Sequence, residues 1–274
     1  MTPSRVLIIA GSDSGGGAGI QADLKTTLAL GGYGMTAITA LTAQNTLGVQ
    51  EVMRVPEGFI RAQISSVLTD LGADCIKTGM LHSPSVIDVV ATCLEEMAPT
   101  VPRVVDPVMV AQSGDRLVSE EAVERLRSRL VPGAALMTPN VPEAEALLGT
   151  RLAAQKEMEP AAQALRELGC EAVLLKGGHL AGDELVDVLA TDRGCTTFRH
   201  PRIPTRCDHG TGCTLASAIA EGIGRGLPLD KAVARGRHYL QIALQQATLL
   251  GNGHGPVRHG HTVTDFDLSE PESG

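Results

Sequence analysis

Aromatic side chains are nearly missing from this chain: of 274 residues none is Trp, two are Tyr and three are Phe. The core must therefore be built from Val, Leu, Ile and Ala, and there is no set of rings on which nucleic-acid bases could stack. Basic residues are also in deficit, 23 against 31 acidic, for a net charge of −8. That argues against a footprint for a phosphate backbone. The six cysteines stand at 75, 93, 170, 195, 207 and 213 with no C-x-x-C pair, which argues against a zinc site or a disulfide framework. No apolar run approaches the ~20 residues of a membrane-spanning helix, and the short apolar run after Arg5 lacks the pattern of a signal peptide. The expectation is a soluble protein of the reducing cytoplasm with no nucleic-acid or membrane partner. No linker or internal repeat divides the chain, so one domain over 1–260 and a disordered acidic tail over 261–274 are expected.

Glycine is abundant, with 31 residues, and two of the stretches that carry it bear on chemistry. One is His209-Gly210-Thr211-Gly212-Cys213-Thr214, followed by the small apolar run Leu215–Ala220. The run reads as a helix buried on most sides. Gly210 and Gly212 then lie at its N-terminus, where backbone N–H groups lack intrahelical partners and the dipole is positive. This is an anion hole for a phosphate or a developing negative charge. Cys213 at the same place is expected to have a lowered thiol pKa and to serve as a general base or nucleophile. The plainer reading is a glycine helix cap with a buried cysteine.

The other place is Gly11–Gly19, after the apolar strand Val6–Ala10 and before a helix over about Ile20–Leu30. A Walker A loop is ruled out because no Gly-Lys-Ser/Thr follows. A dinucleotide fingerprint needs an acidic residue about 20 positions on, and none stands between Asp23 and Glu51. A loop that wraps a small substrate with backbone groups remains. Further strands end in residues with chemical use. Thr42-Ala43-Gln44 follows Met35–Leu41, and Gln44 carries a donor and an acceptor that can read a heterocycle edge. Val49–Val55 is a further short strand, and Pro56 opens a helix whose apolar face takes in Phe59, Ile60, Ile64, Val67, Leu68 and Leu71. Ala73–Thr78 leads to Gly79-Met80, and Met80 reads either as pocket wall or as core. A helix spans Pro84–Met97. Arg103–Met109 carries Asp106, and Ser113-Gly114-Asp115 reads as a flexible flap. Asn140 and Glu143 open a helix after Ala135–Thr138, and serve equally as oxygen ligands for Mg²⁺ or as a helix cap. Lys176 ends the strand Ala172–Lys176, where it can hold a phosphate. Leu185–Ala190 and Cys195–His200 read as an antiparallel hairpin at the sheet edge, and a last long helix runs from about Pro228 to Leu249.

Taken in order, Gly11–Asp23, Thr42–Thr46, Val105–Met109, Thr138–Glu143, Leu175–His179 and His209–Thr214 resemble the hydroxymethylpyrimidine/phosphomethylpyrimidine kinases of thiamine biosynthesis. These belong to the ribokinase-like superfamily, and the resemblance runs from about Val6 to His259. It implies an α/β fold, a three-layer α/β/α sandwich around a mostly parallel sheet with an antiparallel edge hairpin. It implies ATP and Mg²⁺ as cofactors and a homodimer. It implies that Gln44, Met80, Gly11, Ala18, Asp23 and Val108 bind the aminopyrimidine, and that Cys213, Gly210, Gly212 and Lys176 are catalytic. Asp106, Asn140, Lys176, Thr211 and Arg237 would hold the nucleotide, and Asp106, Asn140 and Glu143 the metal and its waters. The chain departs from the family pattern at Cys207-Asp208, which places a carboxylate near an anion site, and at Gln112, where a flap lysine is frequent. Arg237 replaces a frequent lysine. The alternatives are a pyridoxal kinase of the same superfamily, a non-catalytic pyrimidine-binding protein, and, more distantly, a dinucleotide oxidoreductase.

Overall fold

The strand Arg5–Asp13 (β1) shows how the fold is layered. Val6, Ile8 and Ala10 enter one core, Leu7 and Ile9 enter the other, and all five are buried. A strand covered on both faces reads as an unbroken apolar run. The computed structural model describes residues 2–109, 119–180 and 182–264. After β1 come the helix Gly19–Ala29 (α1), the strands Tyr33–Asn45 (β2) and Gly48–Arg54 (β3), and the helix Glu57–Asp70 (α2). The strand Cys75–Thr78 (β4), the helix Pro84–Met97 (α3), the strand Arg103–Val105 (β5) and the helix Glu120–Arg125 (α4) follow. The chain continues through Leu136–Met137 (β6), Val141–Leu148 (α5), Met158–Arg166 (α6), Val173–Lys176 (β7), Glu184–Thr191 (β8) and Gly194–Pro201 (β9). It closes with the helices Thr211–Gly224 (α7) and Leu229–Gln245 (α8).

The strands form one sheet in the order β3-β2-β1-β4-β5-β6-β7-β8-β9. β2, β1, β4, β5, β6 and β7 are parallel. One face is covered through Ile20 of α1, Leu215 and Ile219 of α7 and Val233 of α8. The other is covered through Ile60, Ile87, Ala122, Ala144 and Leu165 of α2 to α6. This is the expected three-layer sandwich. The β8–β9 hairpin lies at one edge as read, but the other edge is antiparallel too, because β3 turns back along β2. The turn is closed by Asn45 Oδ1, which accepts the Leu47 N–H at 2.9 Å, the local bond that lets asparagine start a turn.

Local signals place several helices well. Ser83 Oγ accepts the Val86 N–H at 3.3 Å ahead of Pro84, and α3 has the bounds read from sequence. On α7 every residue from Thr214 to Gly222 is buried. Its neighbour α8 comes so close that a Cβ on Gly236 would lie 2.9 Å from Ile219 Cγ1. Other expectations are corrected. On α2 only Ile60 and Ile64 are buried, while Phe59 and Leu71 are 61% and 41% exposed, since neighbouring positions diverge around a helix. The last helix ends at Gln245, not Leu249, and the chain crosses to the β2–β3 turn, where Thr46 receives the Gly253 and His254 N–H groups at 3.2 and 2.9 Å. In the stretch expected as tail, the His261 ring lies 4.5 Å from that of Tyr239 and Thr262 Oγ1 donates to Ala29 O at 2.5 Å. The flap reading, with Gln112, falls outside the described residues, as does 265–274. Among the described residues no helix is long and apolar enough to cross a membrane.

Candidate active site

The chain pairs β1 first with β2 on one side and then with β4 on the other. Such a reversal opens a crevice at the C-terminal ends of the strands. A cleft of about 1140 Å³ lies there. Gly11, Gln44, Met80, Asp106, Lys176 and Cys213 all line it, brought from six separate strand and helix ends. Ala18, Val108, Asn140, Glu143, Thr211, Arg237, Gly210 and Gly212 complete the predicted set on its walls. Asp23 does not line it.

The glycine loop differs in kind from its sequence reading. Three of its backbone N–H donors are already used by the loop's own Asp13 carboxylate. Asp13 Oδ1 accepts the Gly15 N–H at 2.8 Å, and Oδ2 accepts those of Gly17 and Ala18 at 3.1 and 2.8 Å. His209 Nε2 donates to Oδ2 as well, at 2.8 Å. A nest of backbone N–H groups is a common anion site, and here a side chain fills it. That is why the loop is not a phosphate loop, and Ala18 offers the cleft its side, not its N–H. Burial opposes the charge of Asp13, but His209 and the Ala18 and Gly15 donors outweigh it and hold the carboxyl below its ordinary value. A group lowered in this way stabilises the fold above its unfolded pKa, and the contribution is lost as pH falls through the folded value. Asp13→Asn is therefore expected to cost about 1–3 kcal/mol near neutrality. In thermal melts, its deficit against the parent chain should narrow below about pH 4.

The same carboxylate ties the loop to the start of α7. Gly210 caps that helix at φ 83°, and a Cβ there would collide with the Gly17 carbonyl. Only glycine suits both the left-handed backbone and the close approach. No side chain caps α7, and the Gly212 and Cys213 N–H groups have no acceptor among the described residues. Across from them, Lys176 Nζ donates to Asp106 Oδ1 at 3.1 Å. A Cβ on Gly212 would lie 3.4 Å from Lys176 Nζ and 3.8 Å from Asp106 Oδ2. The anion hole and the lysine thus face one small volume. Burial opposes the Lys176 charge, but Asp106 and Glu143 raise its pKa.

Two expectations fail beneath this volume. The Cys213 thiol is not acidified: burial pushes it up to about 12, Lys77 and the Gly19 N–H pull down, and Asp23 and Asp106 add to the rise. Cys213 is half-buried on the cleft wall, and the helix terminus does not offset that partial removal from water next to two carboxylates. Asp23, expected to bind substrate, is wholly buried. Both its oxygens accept from Lys77 Nζ at 2.9 Å, and Oδ1 also accepts from Ser217 Oγ at 2.7 Å. Lys77 was missed by the sequence reading, which took Ala73–Thr78 as plain strand. The available signal was a lysine inside an apolar strand, because charged residues are rarely buried without a partner.

The nucleotide end also has its own supports. Asn140 and Glu143 form a reciprocal cap on α5: Asn140 Oδ1 accepts the Glu143 N–H at 2.9 Å, and Glu143 Oε2 accepts the Asn140 N–H at 2.8 Å. The cap reading is the one observed. Burial pushes the Glu143 carboxyl up to about 7, with Lys176 opposing and Asp106 adding. Asp106 Oδ1 further accepts from Thr138 Oγ1 at 3.0 Å. Arg237 is held by Asp187 at 2.8 Å and lies 4.8 Å over the Phe198 ring, so it is anchored in the β8–β9 hairpin. Its Nη2 is buried without a partner among the described residues. Asp208 is bound by His254 at 2.7 Å. Among the described residues no three acidic, His or Cys side chains gather as a metal cage.

The family model for phosphomethylpyrimidine kinase matches residues 13–258. The chain is 50% identical over 254 residues to the thiamine biosynthesis bifunctional protein ThiED of Geobacter sulfurreducens, covering 93% of this chain and 52% of that longer protein. It is 47% identical over 260 residues to the hydroxymethylpyrimidine/phosphomethylpyrimidine kinase of Streptomyces coelicolor, covering 95% and 96% of the two chains. Among solved structures, the pyridoxal kinase of Bacillus subtilis in its ADP complex has a TM-score of 0.88 at 33% identity, covering 94% of this chain and 98% of the other. A phosphomethylpyrimidine kinase from Clostridium difficile has a TM-score of 0.79 at 40% identity, covering 88% and 99%. The cleft, its facing lysine and anion hole, and these likenesses agree: the chain belongs to the phosphomethylpyrimidine kinase family, with the ribokinase-like fold.

Proposed function

We propose that this protein transfers the γ-phosphoryl group of ATP twice. The first acceptor is the hydroxymethyl group of 4-amino-5-hydroxymethyl-2-methylpyrimidine, and the second is the resulting monophosphate. The observation that carries the reading is the approach of the α7 N-terminus to Lys176 and Asp106, with Gly212 facing both. Phosphoryl transfer depends mainly on positioning and charge neutralisation, and these groups supply both. In the first transfer the bond from the γ-phosphorus to the ADP oxygen breaks, and a bond to the hydroxymethyl oxygen forms. The hydroxyl proton goes to the Cys213 thiolate. The Gly212 and Cys213 N–H groups and Lys176 meet the negative charge. In the second transfer the acceptor is already an oxyanion, and no base is needed.

Asp106 and Glu143, with phosphate oxygens and water, suit Mg²⁺, which uses one or two carboxylates. When bound, Mg²⁺ supplies charge neutralisation across the transferring phosphates. Asn140 orients Glu143 through the cap, Thr138 orients Asp106, and Arg237 offers its unpaired Nη2 to the nucleotide. The ring substrate sits against Gln44, Met80, Gly11, Ala18 and Val108. We place the enzyme in the cytoplasm as a homodimer. The exposed Leu41, Leu47, Met53 and Phe59 near the β2–β3 edge support an apolar contact between copies.

The likeness to pyridoxal kinases supports a second reading, phosphorylation of pyridoxal at the same site. Steady-state kinetics with Mg·ATP and each ring separate the two. The expected result is a kcat/KM for the aminopyrimidine at least about tenfold above that for pyridoxal, the discrimination that one hydrogen-bonded contact brings. The opposite order would move the assignment to pyridoxal.

A further inference from the structure

β2 and β3 lose register between Ala43 and Gln44. A bulge of this kind re-aims the side chain beside it, and Gln44 lies on the cleft wall next to Thr42. Its backbone is clamped by Ser14, whose Oγ accepts the Gln44 N–H at 2.8 Å and donates to Gln44 O at 2.9 Å. Among the described residues the carboxamide end has Thr42 as its hydrogen-bond partner. Thr42 Oγ1 lies 2.8 Å from Ser12 O and 3.0 Å from Gln44 Oε1. A hydroxyl carries one proton, and both of these oxygens can only accept. With Thr42 just 9% exposed, one oxygen pair would be left facing without a proton between them. Ser12 O belongs to β1 and cannot turn, whereas a carboxamide can. Turned over, it donates Nε2–H to Thr42 Oγ1, and the Thr42 proton goes to Ser12 O. Thr42 Oγ1 and Ser12 O are then both satisfied, and the Gln44 carbonyl oxygen is the acceptor left facing the cleft.

We propose that Thr42 is a specificity-determining residue: by accepting the Gln44 Nε2–H it turns the Gln44 carbonyl oxygen into the cleft, so that the site selects an aromatic ring bearing an N–H donor beside its hydroxymethyl arm. The proposal rests on the functional reading above and names the device by which that site would tell rings apart. An amino group next to the arm satisfies the carbonyl. An alkoxy group or a phenolate at that position sets lone pairs against lone pairs, and an unpaired buried acceptor lowers affinity by roughly 5- to 150-fold. Thr42 touches no reacting atom in this scheme. It acts by fixing which end of the amide Gln44 presents.

The test is equilibrium calorimetry on the full chain without ATP. It uses 4-amino-5-hydroxymethyl-2-methylpyrimidine and its 4-methoxy counterpart, with the parent chain and the Thr42→Val, Thr42→Ala and Thr42→Ser variants. The parent and Thr42→Ser are expected to prefer the amino ring about tenfold or more. Thr42→Val keeps the shape and loses the hydroxyl, and Thr42→Ala loses both; in each the preference is expected to fall to within about threefold. A full preference retained in Thr42→Val or Thr42→Ala overturns the proposal, and so does absence of any preference in the parent chain. Phosphorylation of the amino ring, assayed on the same samples, reports separately on the function. A Thr42-dependent preference without turnover would retract the kinase reading and leave the proposal standing. Turnover with a preference that ignores Thr42 would do the reverse.

Discussion

Cys213→Ala is expected to slow the first phosphoryl transfer by about 10²- to 10⁴-fold, the range for loss of a positioned base, and to leave the second within a few-fold of the parent. The asymmetry follows from the acceptors. An alcohol must lose a proton as it attacks, while a phosphate monoester presents an oxygen already charged above its second pKa of about 6. The raised thiol adds a pH signature. With Cys213 pushed up to about 12, the thiolate is a minor species at neutral pH and grows with each unit of alkalinity. The first-step rate of the parent enzyme should therefore climb through at least about pH 9, and the second should level off once its acceptor is ionised, near about pH 7. Separate assays from the alcohol and from the supplied monophosphate measure both. Equal losses in the two steps would remove Cys213 from the role of base.

Lys77→Met is expected to destabilise the fold by about 3–5 kcal/mol, because it leaves the Asp23 carboxylate buried without its cation. Lys77 and Asp23 are both fully buried. Burial disfavours the ammonium, yet Asp23, Cys213 and Asp106 hold its pKa above the ordinary value. For Asp23, burial raises the pKa, with Lys77 and Ser217 opposing. Without Lys77 that opposition is mostly gone. A carboxyl raised in the folded state favours folding while protonated, so the variant should recover stability relative to the parent as pH falls from neutrality toward the ordinary carboxylate range near about pH 4. Replacing both partners by apolar residues, as in Lys77→Met with Asp23→Leu, is expected to restore most of the loss. Chemical denaturation of Lys77→Met and of the double variant beside the parent chain checks this. A single variant as stable as its parent would contradict the buried-pair account.

How far these features could be read in advance depends on how local their causes are. The α3 bounds follow from Ser83-Pro84 within one turn, and the Asn140–Glu143 cap from a three-residue spacing. The burial of α7 follows from its run of small residues. All are decided by neighbours in the chain, and so they are visible in it. The Lys77–Asp23–Ser217 cluster joins positions 54 and 194 residues apart, and no window of sequence contains it. The Cys213 shift has the sign opposite to the local expectation for the same reason: the helix terminus is local, while the burial of the thiol, and with it Asp23 and Asp106, arrives through the fold. The glycine loop is an intermediate case. Asp13 stands in plain view before Gly15, Gly17 and Ala18, but a glycine loop after a buried strand points to a small substrate, not to the loop's own side chain, as the group its backbone wraps. The order of the blocks from Gly11 to Thr214, more than any one of them, made the family and the sheet architecture legible. The antiparallel course of β3 was not, since a four-residue turn at Asn45–Gly48 and a crossover leave similar short apolar runs behind.

The most direct test of the central claim is a time-resolved mass spectrum of products from the purified chain with Mg·ATP and 4-amino-5-hydroxymethyl-2-methylpyrimidine. The account predicts a monophosphate that rises first and then gives way to a diphosphate, with one ADP formed for each phosphoryl group transferred. A monophosphate that accumulates and never advances, or a folded protein that forms neither product, would contradict it.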